Sequence, residues 1–161
     1  MPSIVNPMDA FKTFEPALRR GELQVQRGTI HPDLLLHLDH PSGSTRFTYA
    51  KLQGQSVAAM AIIIPAESLN GKPVFQIGYA VPQHLRKRGL AKEIAQAAID
   101  EFSAGMARNG IKALYFEAIV GVRNIASQKV AEHIIGGSPS EIVDETSGEA
   151  ALQYMKEVSF G

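Results

Sequence analysis

The chain contains no cysteine and no tryptophan among its 161 residues. Without thiols it can form no disulfide, no thiolate metal site and no covalent thiol intermediate. Net charge is absent too: 16 basic residues balance 16 acidic ones, so nothing global draws the protein to nucleic acid or to an anionic membrane. Aromatic residues make up only 7% and are not interleaved with basic ones, which argues further against a nucleic-acid surface. No apolar run approaches the roughly 20 residues that cross a bilayer. The opening Met1-Pro2-Ser3-Ile4-Val5-Asn6-Pro7 lacks the charged-then-apolar layout of a signal peptide. The expectation is a soluble cytoplasmic protein. Internal repeats, low-complexity tracts and linkers are also missing, so residues 1–161 are expected to form a single domain.

What is present changes texture halfway along. Asn6-Pro7 reads as the cap and first turn of a helix with Met8, Phe11, Phe14 and Leu18 on its apolar side. Pro16 is expected to break or redirect that helix, and Gly21 to end it. Strand-like runs follow at 34–38, 45–52, 57–64 and 74–81. They are separated by Pro41-Ser42-Gly43, Gln53-Gly54-Gln55 and Asn70-Gly71-Lys72-Pro73. Connections this short favour antiparallel neighbours. The period then switches. Residues 89–108 put Leu90, Ile94, Ala98 and Phe102 on one helical stripe, and Asn109-Gly110 stops the helix. A strand at 112–120, a helix at 124–134 and a strand at 151–158, after Thr146-Ser147-Gly148, complete the chain. Strand 74–81, helix 89–108 and strand 112–120 make a βαβ unit, whose strands should be parallel and its crossover right-handed. The expected fold class is α/β (α+β): a mixed central sheet with antiparallel N-terminal strands and a parallel βαβ unit.

Ligands of open α/β sheets bind beyond the carboxyl ends of the strands. Two stretches fall at that edge. The first runs from Tyr79-Ala80-Val81 through a turn to Arg86-Lys87-Arg88-Gly89-Leu90-Ala91, where a helix begins. A helix start offers unpaired N–H donors and partial positive charge, and so favours an anion such as a phosphate. His84 and Lys92 add to the charge, and Gly89 lets the chain pass close to a ligand. A solvated basic turn explains the same residues as well. Neither G-x-x-x-x-G-K-[ST] nor G-x-G-x-x-G is present, which counts against a nucleotide-binding module. The second stretch is Asn124-Ile125-Ala126-Ser127, which taken alone reads as a capped amphipathic helix.

Together the two stretches resemble the GNAT superfamily of acyl-CoA-dependent N-acyltransferases. The family's loop [Q/R]-x-x-G-x-[G/A] is matched by Arg86, Gly89 and Ala91. Glu117-Ala118, then Asn124 and Ser127 as N-x-x-S, resemble the branch containing ribosomal-protein N-terminal acetyltransferases. The resemblance covers residues 55–137. It implies acetyl-CoA as co-substrate, with no metal, and direct transfer of the acetyl group to a primary amine in a ternary complex. The acceptor it implies is a small-molecule amine or a protein N-terminus. On this reading Tyr79, Ala80 and Val81 lie along the pantetheine arm, and a backbone N–H there polarises the thioester. Arg86, Lys87, Arg88, Gly89, Leu90 and Ala91 hold the pyrophosphate, and Asn124 caps the second helix. Glu117 is the candidate base and Ser127 the candidate acid. Many members carry a tyrosine in the second helix, and here that place falls at Ala131. Many have Glu on the strand where this chain has Gln76. These departures keep open a second function, an acyl-CoA-binding domain without catalysis that serves as a sensor or interaction module. Family members commonly pair through sheet edges, which implies a homodimer. From topology, loop 65–73 is expected to border the acceptor site. His37 and Asp39 would share a strand face, beside His31 and His40, but the spacing fits no standard zinc pattern and no metal site is assigned.

Overall fold

The computed structural model describes residues 7–145 and 147–160, with the side chain of Ser42 left aside. Asn6 and Thr146, read above as a cap and a turn residue, lie outside the described residues. The order is α1 (Pro7–Arg19), β1 (Gln26–Arg27), β2 (Leu34–Asp39), β3 (Arg46–Gln53), β4 (Ser56–Leu69) and β5 (Lys72–Ala80). Then come α2 (Leu90–Arg108), β6 (Ala113–Gly121), α3 (Ile125–Ile134), β7 (Ser140–Val143) and β8 (Ala150–Ser159). The strands form one sheet in the order β1-β2-β3-β4-β5-β6-β8-β7. Among the described residues only β5 and β6 pair parallel, as the βαβ reading requires; the other neighbours are antiparallel. The α+β mixed sheet expected from the sequence is therefore present.

Both faces of β4 and β5 are covered. On one, Phe11 and Phe14 of α1 pack against Ala50, Met60, Ile62 and Ala80. On the other, α2 and α3 bury Ile94, Ala98, Phe102 and Ala131 against Ile63, Ile77, Phe116 and Val120. Alternation along β4 and β5 thus gives way to runs that are buried on both sides, such as 57–63. Phe102 anchors the larger cluster, with ring centroids 4.7 Å from Phe75, 5.0 Å from Phe47 and 5.9 Å from Phe116.

Several expectations need correction. Pro16 does not break α1, which runs unbroken to Arg19. Pro16 is exposed, and Arg20 N–H still bonds its carbonyl at 3.0 Å, so the ladder resumes within one turn. Strand β4 does not stop at Ile64 but continues through Pro65 to Leu69. Its partner β5 begins at Lys72, across a tight turn in which Asn70 and Gly71 both take positive φ (54° and 72°). That turn sits where β5 starts, at the opposite end of the strand from the 81–89 turn. β1 and β7, two and four residues long, are too short to carry a strand signal in the sequence. They are the sheet's edges, and short edges are poor templates for adding a further strand. Among the described residues no helix is long and apolar enough to cross a membrane.

Candidate active site

β5 and β6 pair only at Val74–Tyr115, Phe75–Phe116 and Gln76–Glu117. Beyond those three pairs β5 continues to Ala80 and β6 to Gly121, yet the ladder between them has ended. The two strands part as a fork. On its outer side β5 stays bonded to β4, for Tyr79 lies opposite Ala61 and Ala80 opposite Met60. On the inner side, the edges of 77–80 and 118–121 turn backbone donors and acceptors toward the fork. Backbone polar groups are rarely left without a partner, so such an edge suits a ligand with amides of its own.

The turn 81–89 closes the mouth of the fork. After a single 3-10 turn at Gln83–Leu85 the chain reaches Lys87 and Gly89, both left-handed (φ 65° and 77°), and α2 starts with Gly89 as its cap. Glycine takes that conformation without strain, whereas a lysine in it costs about 1–2 kcal/mol. Among the described residues no side chain caps α2, and the first intrahelical bond is Glu93 N–H to Gly89 C=O at 3.1 Å. Among the described residues nothing accepts from the N–H groups of Leu90, Ala91 and Lys92. Those donors therefore face outward with Arg88, Lys87 and His84, all exposed. Arg86 folds back, its Nε donating to the Val81 carbonyl at 3.0 Å, which fastens the turn to the end of β5.

On the other arm Asn124 caps α3, its side chain accepting from Ser127 N–H at 3.1 Å. Gln128 ties the same helix start to the end of β6, donating to the carbonyls of Gly121 (3.1 Å) and Val122 (2.9 Å). Among the described residues no group hydrogen-bonds the Ser127 hydroxyl. The backbone carbonyl of Ser127 does have a partner, the hydroxyl of Tyr79 at 2.8 Å. Tyr79 thus reaches from β5 to α3. Burial pushes its phenol up to about 12; the bond to Ser127 works against this and the nearby Tyr154 adds to it. Tyr154 is itself 1% exposed, and its phenol is raised by burial and then by Glu132.

Glu117 stands at the vertex of the fork, in the last β5–β6 pair. It shares a sheet face with Gln76 and Ile64, the side covered by α1. Glu117 is only 5% exposed, and its carboxylate accepts from Gln76 Nε2 at 3.2 Å and from Gln153 Nε2 at 2.6 Å. Ser127 rides on α3, on the opposite side of the sheet. The two candidate catalytic residues therefore flank the fork from different faces and can meet at one reacting centre only through it. Sequence reading missed Gln153 and the Tyr79 side chain: nothing in a strand's polar alternation says which glutamine reaches a carboxylate on a neighbouring strand.

The histidine constellation disperses. Asp39 is taken by Arg46 at 2.6 Å, His37 Nδ1 lies 2.8 Å from the Gln24 carbonyl, and His31 lies 3.2 Å from Asp100. Among the described residues no three such groups converge on a point where a metal ion could sit.

No curated protein matches the chain. Solved structures do. An acetyltransferase of the GNAT family from Streptococcus pneumoniae superposes with a TM-score of 0.52 at 16% identity, over 70% of this chain and 67% of that one. Ribosomal-protein-S5-alanine acetyltransferase from Vibrio fischeri gives 0.51 at 12%, over 70% and 61%. Mycobacterium smegmatis RimJ, solved with CoA-disulfide, gives 0.56 at 16%, over 73% and 55%. The matched part of the chain thus spans between 55% and 67% of these relatives, and at such identities the likeness is one of fold. The sequence profile of the acetyltransferase (GNAT) family matches residues 11–136, from α1 to the end of α3, and so takes in the fork, both helix starts and Glu117. By that match the chain belongs to the GNAT acetyltransferase family.

Proposed function

We propose that the protein transfers an acetyl group from acetyl-CoA to a primary amine, by direct attack in a ternary complex. The observation that carries this reading is the fork: two parallel strands that part after three pairs, with an uncapped helix N-terminus at the mouth. A pantetheine arm has amides that suit the strand edges at 77–80 and 118–121. A pyrophosphate suits the N–H groups of Leu90, Ala91 and Lys92, with Lys87 and Arg88 adding charge. Arg86 acts here mainly by holding the turn. The thioester then lies near the vertex, where a backbone N–H between Tyr79 and Val81 supports the oxyanion.

Glu117 takes the proton that the acceptor must lose. The amine nitrogen forms its bond to the carbonyl carbon, and the carbon–sulfur bond breaks. The thiolate leaves on the α3 side, where Ser127 offers a hydroxyl with no competing partner among the described residues. Geometry favours an acceptor that enters from the α1 face, opposite the side where CoA is gripped. The acceptor we favour is the α-amine of a polypeptide. One of the similar structures supports it, being named for the alanine of a ribosomal protein. An α-amine has an ordinary pKa near 8, against roughly 10.4 for a lysine side chain. It therefore asks less of a carboxylate acting through water.

The test is an assay of acetyl-CoA with peptides of varied N-terminal residue, free amino acids and polyamines. Acetylation of a peptide α-amine with matching release of CoA supports the reading. A rise in melting temperature with acetyl-CoA but no transfer to any amine would instead identify a binding domain without catalysis.

A further inference from the structure

Glu117 presents an electrostatic imbalance. The residue is almost wholly buried, and buried carboxylates ordinarily stand beside a cation. Here none does: among the described residues no Lys, Arg or His pairs with Glu117. Its partners are two neutral amides, and each takes a different oxygen. Gln76 Nε2 reaches Oε1 from β5, and Gln153 Nε2 reaches Oε2 from β8. The strand order β5-β6-β8 sets Glu117 between them. Gln76 is itself 6% exposed, so this donor is held by packing and not by chance at a surface. The ion pair between Lys72 and Glu157 lies toward the far end of the same strands, Glu157 being opposite Tyr115, and leaves Lys72 engaged elsewhere.

We propose that Gln76 and Gln153 are positioning residues that fix the Glu117 carboxylate while leaving its charge uncompensated, so that the cation completing the site is the acceptor's own ammonium. The inference rests on Glu117 as the proton acceptor of the proposed transfer. A carboxylate oxygen accepts more than one hydrogen bond, so the clamp leaves each oxygen able to accept from the ammonium as well. An arginine or lysine in place of either glutamine would satisfy the buried charge and remove the reason for an ammonium to bind. The two amides also stop the side chain from rotating, so the carboxylate receives the proton in one fixed orientation. Substrates selected this way are amines protonated at working pH; alcohols and weakly basic aromatic amines lack the charge the site awaits.

Three variants of the full chain test this: Gln153→Leu, Gln153→Asn and Gln153→Lys, with kcat, both KM values and melting temperature recorded. Gln153→Leu should lower kcat by roughly 10- to 100-fold with the KM for acetyl-CoA unchanged. Gln153→Asn, which keeps the amide, should recover part of that loss. Gln153→Lys, whose ammonium stands in for the acceptor's, should melt above the wild type yet raise the acceptor KM by at least about tenfold. A merely structural glutamine predicts otherwise: Gln153→Lys would melt below the wild type, or Gln153→Leu would keep wild-type kcat, and either result overturns the proposal. Should the wild type acetylate no amine at all, it is the transfer reading that fails. The melting temperatures then still decide whether Glu117 awaits a cation: Gln153→Lys above the wild type and Gln153→Leu below it upholds that, and the reversed order denies it.

Discussion

The hydroxyl of Tyr79 on β5 donates to the backbone carbonyl of Ser127 on α3 at 2.8 Å. This bond spans the two arms of the fork beyond the point where their ladder ends. It also sets a phenol one helical turn before Ala131, the place where many family members carry their tyrosine. Because burial raises the phenol to about 12, it stays protonated after an unfolded tyrosine has begun to ionise near 10. The sign follows: stability from this group is complete below about pH 10 and is lost as pH rises toward 12. Wild-type protein should therefore lose melting temperature between pH 10 and 12 more steeply than Tyr79→Phe. At neutral pH the variant should be less stable by about 0.5–1.5 kcal/mol, the worth of one hydrogen bond, as read by urea melts.

Glu101 gives a second pH dependence, at the other end of the scale. Burial alone would raise its carboxyl. The N–H groups of His31, Thr29 and Ile30, with the Thr29 hydroxyl, outweigh burial and hold it below the usual carboxylate range. The contacts are close, 2.6 Å to both Ile30 and His31, and they fasten the loop before β2 to α2. A depressed carboxyl stabilises the fold above its unfolded value of about 4.3, and the gain is lost as pH falls through the folded value. Glu101→Gln should flatten the acid limb of a melting-temperature profile taken from pH 6 to pH 3. An unchanged limb would show that the loop does not depend on this charge.

At the turn, Gly89 and Lys87 should respond in opposite ways. A side chain at Gly89 would meet open space, so Gly89→Ala costs only the left-handed backbone, about 1–2 kcal/mol. Relaxation of that strain would tilt the helix N–H groups away from an anion and shrink the melting shift produced by acetyl-CoA. Lys87→Gly relieves the strained backbone and should stabilise the free protein slightly, by under about 1 kcal/mol. It should nevertheless weaken acetyl-CoA binding through the lost cation. Differential scanning fluorimetry with and without acetyl-CoA reads both effects.

Where α1 meets the sheet, Gly78 has no such freedom. A Cβ there would fall 2.7 Å from Pro7 Cγ, so Gly78→Ala must push the start of α1 off the strand. A loss of about 1–3 kcal/mol is expected in chemical denaturation, the usual cost of overpacking.

The sequence was most readable where one periodicity held over many residues. The 3.6-residue stripe of Leu90, Ile94, Ala98 and Phe102 and the glycine stop after Asn109 locate α2 to within a residue. It was least readable where tertiary pairing overrode a local signal. Pro65 lies inside a strand because β4 pairs across to Phe75, and Pro16 lies inside α1 because the helical ladder resumes at once, Arg20 N–H reaching its carbonyl. At the candidate site, Gly89, Asn124 and Glu117 stand out in the sequence through motif spacing. Gln153 does not, since its contact with Glu117 bridges 36 residues of sequence and exists only once β8 has inserted beside β6.

Whether Glu117 at the vertex of the fork accepts the amine's proton during acetyl transfer is decided by the single-turnover rate of Glu117→Gln. The measurement uses saturating acetyl-CoA and the best peptide acceptor, with the melting shift taken on the same sample. With Glu117 as the base, the acetyl-CoA shift stays undiminished and the rate falls about 100-fold or more below wild type, as for loss of a general base. A variant that binds acetyl-CoA and turns over at the wild-type rate would contradict that role.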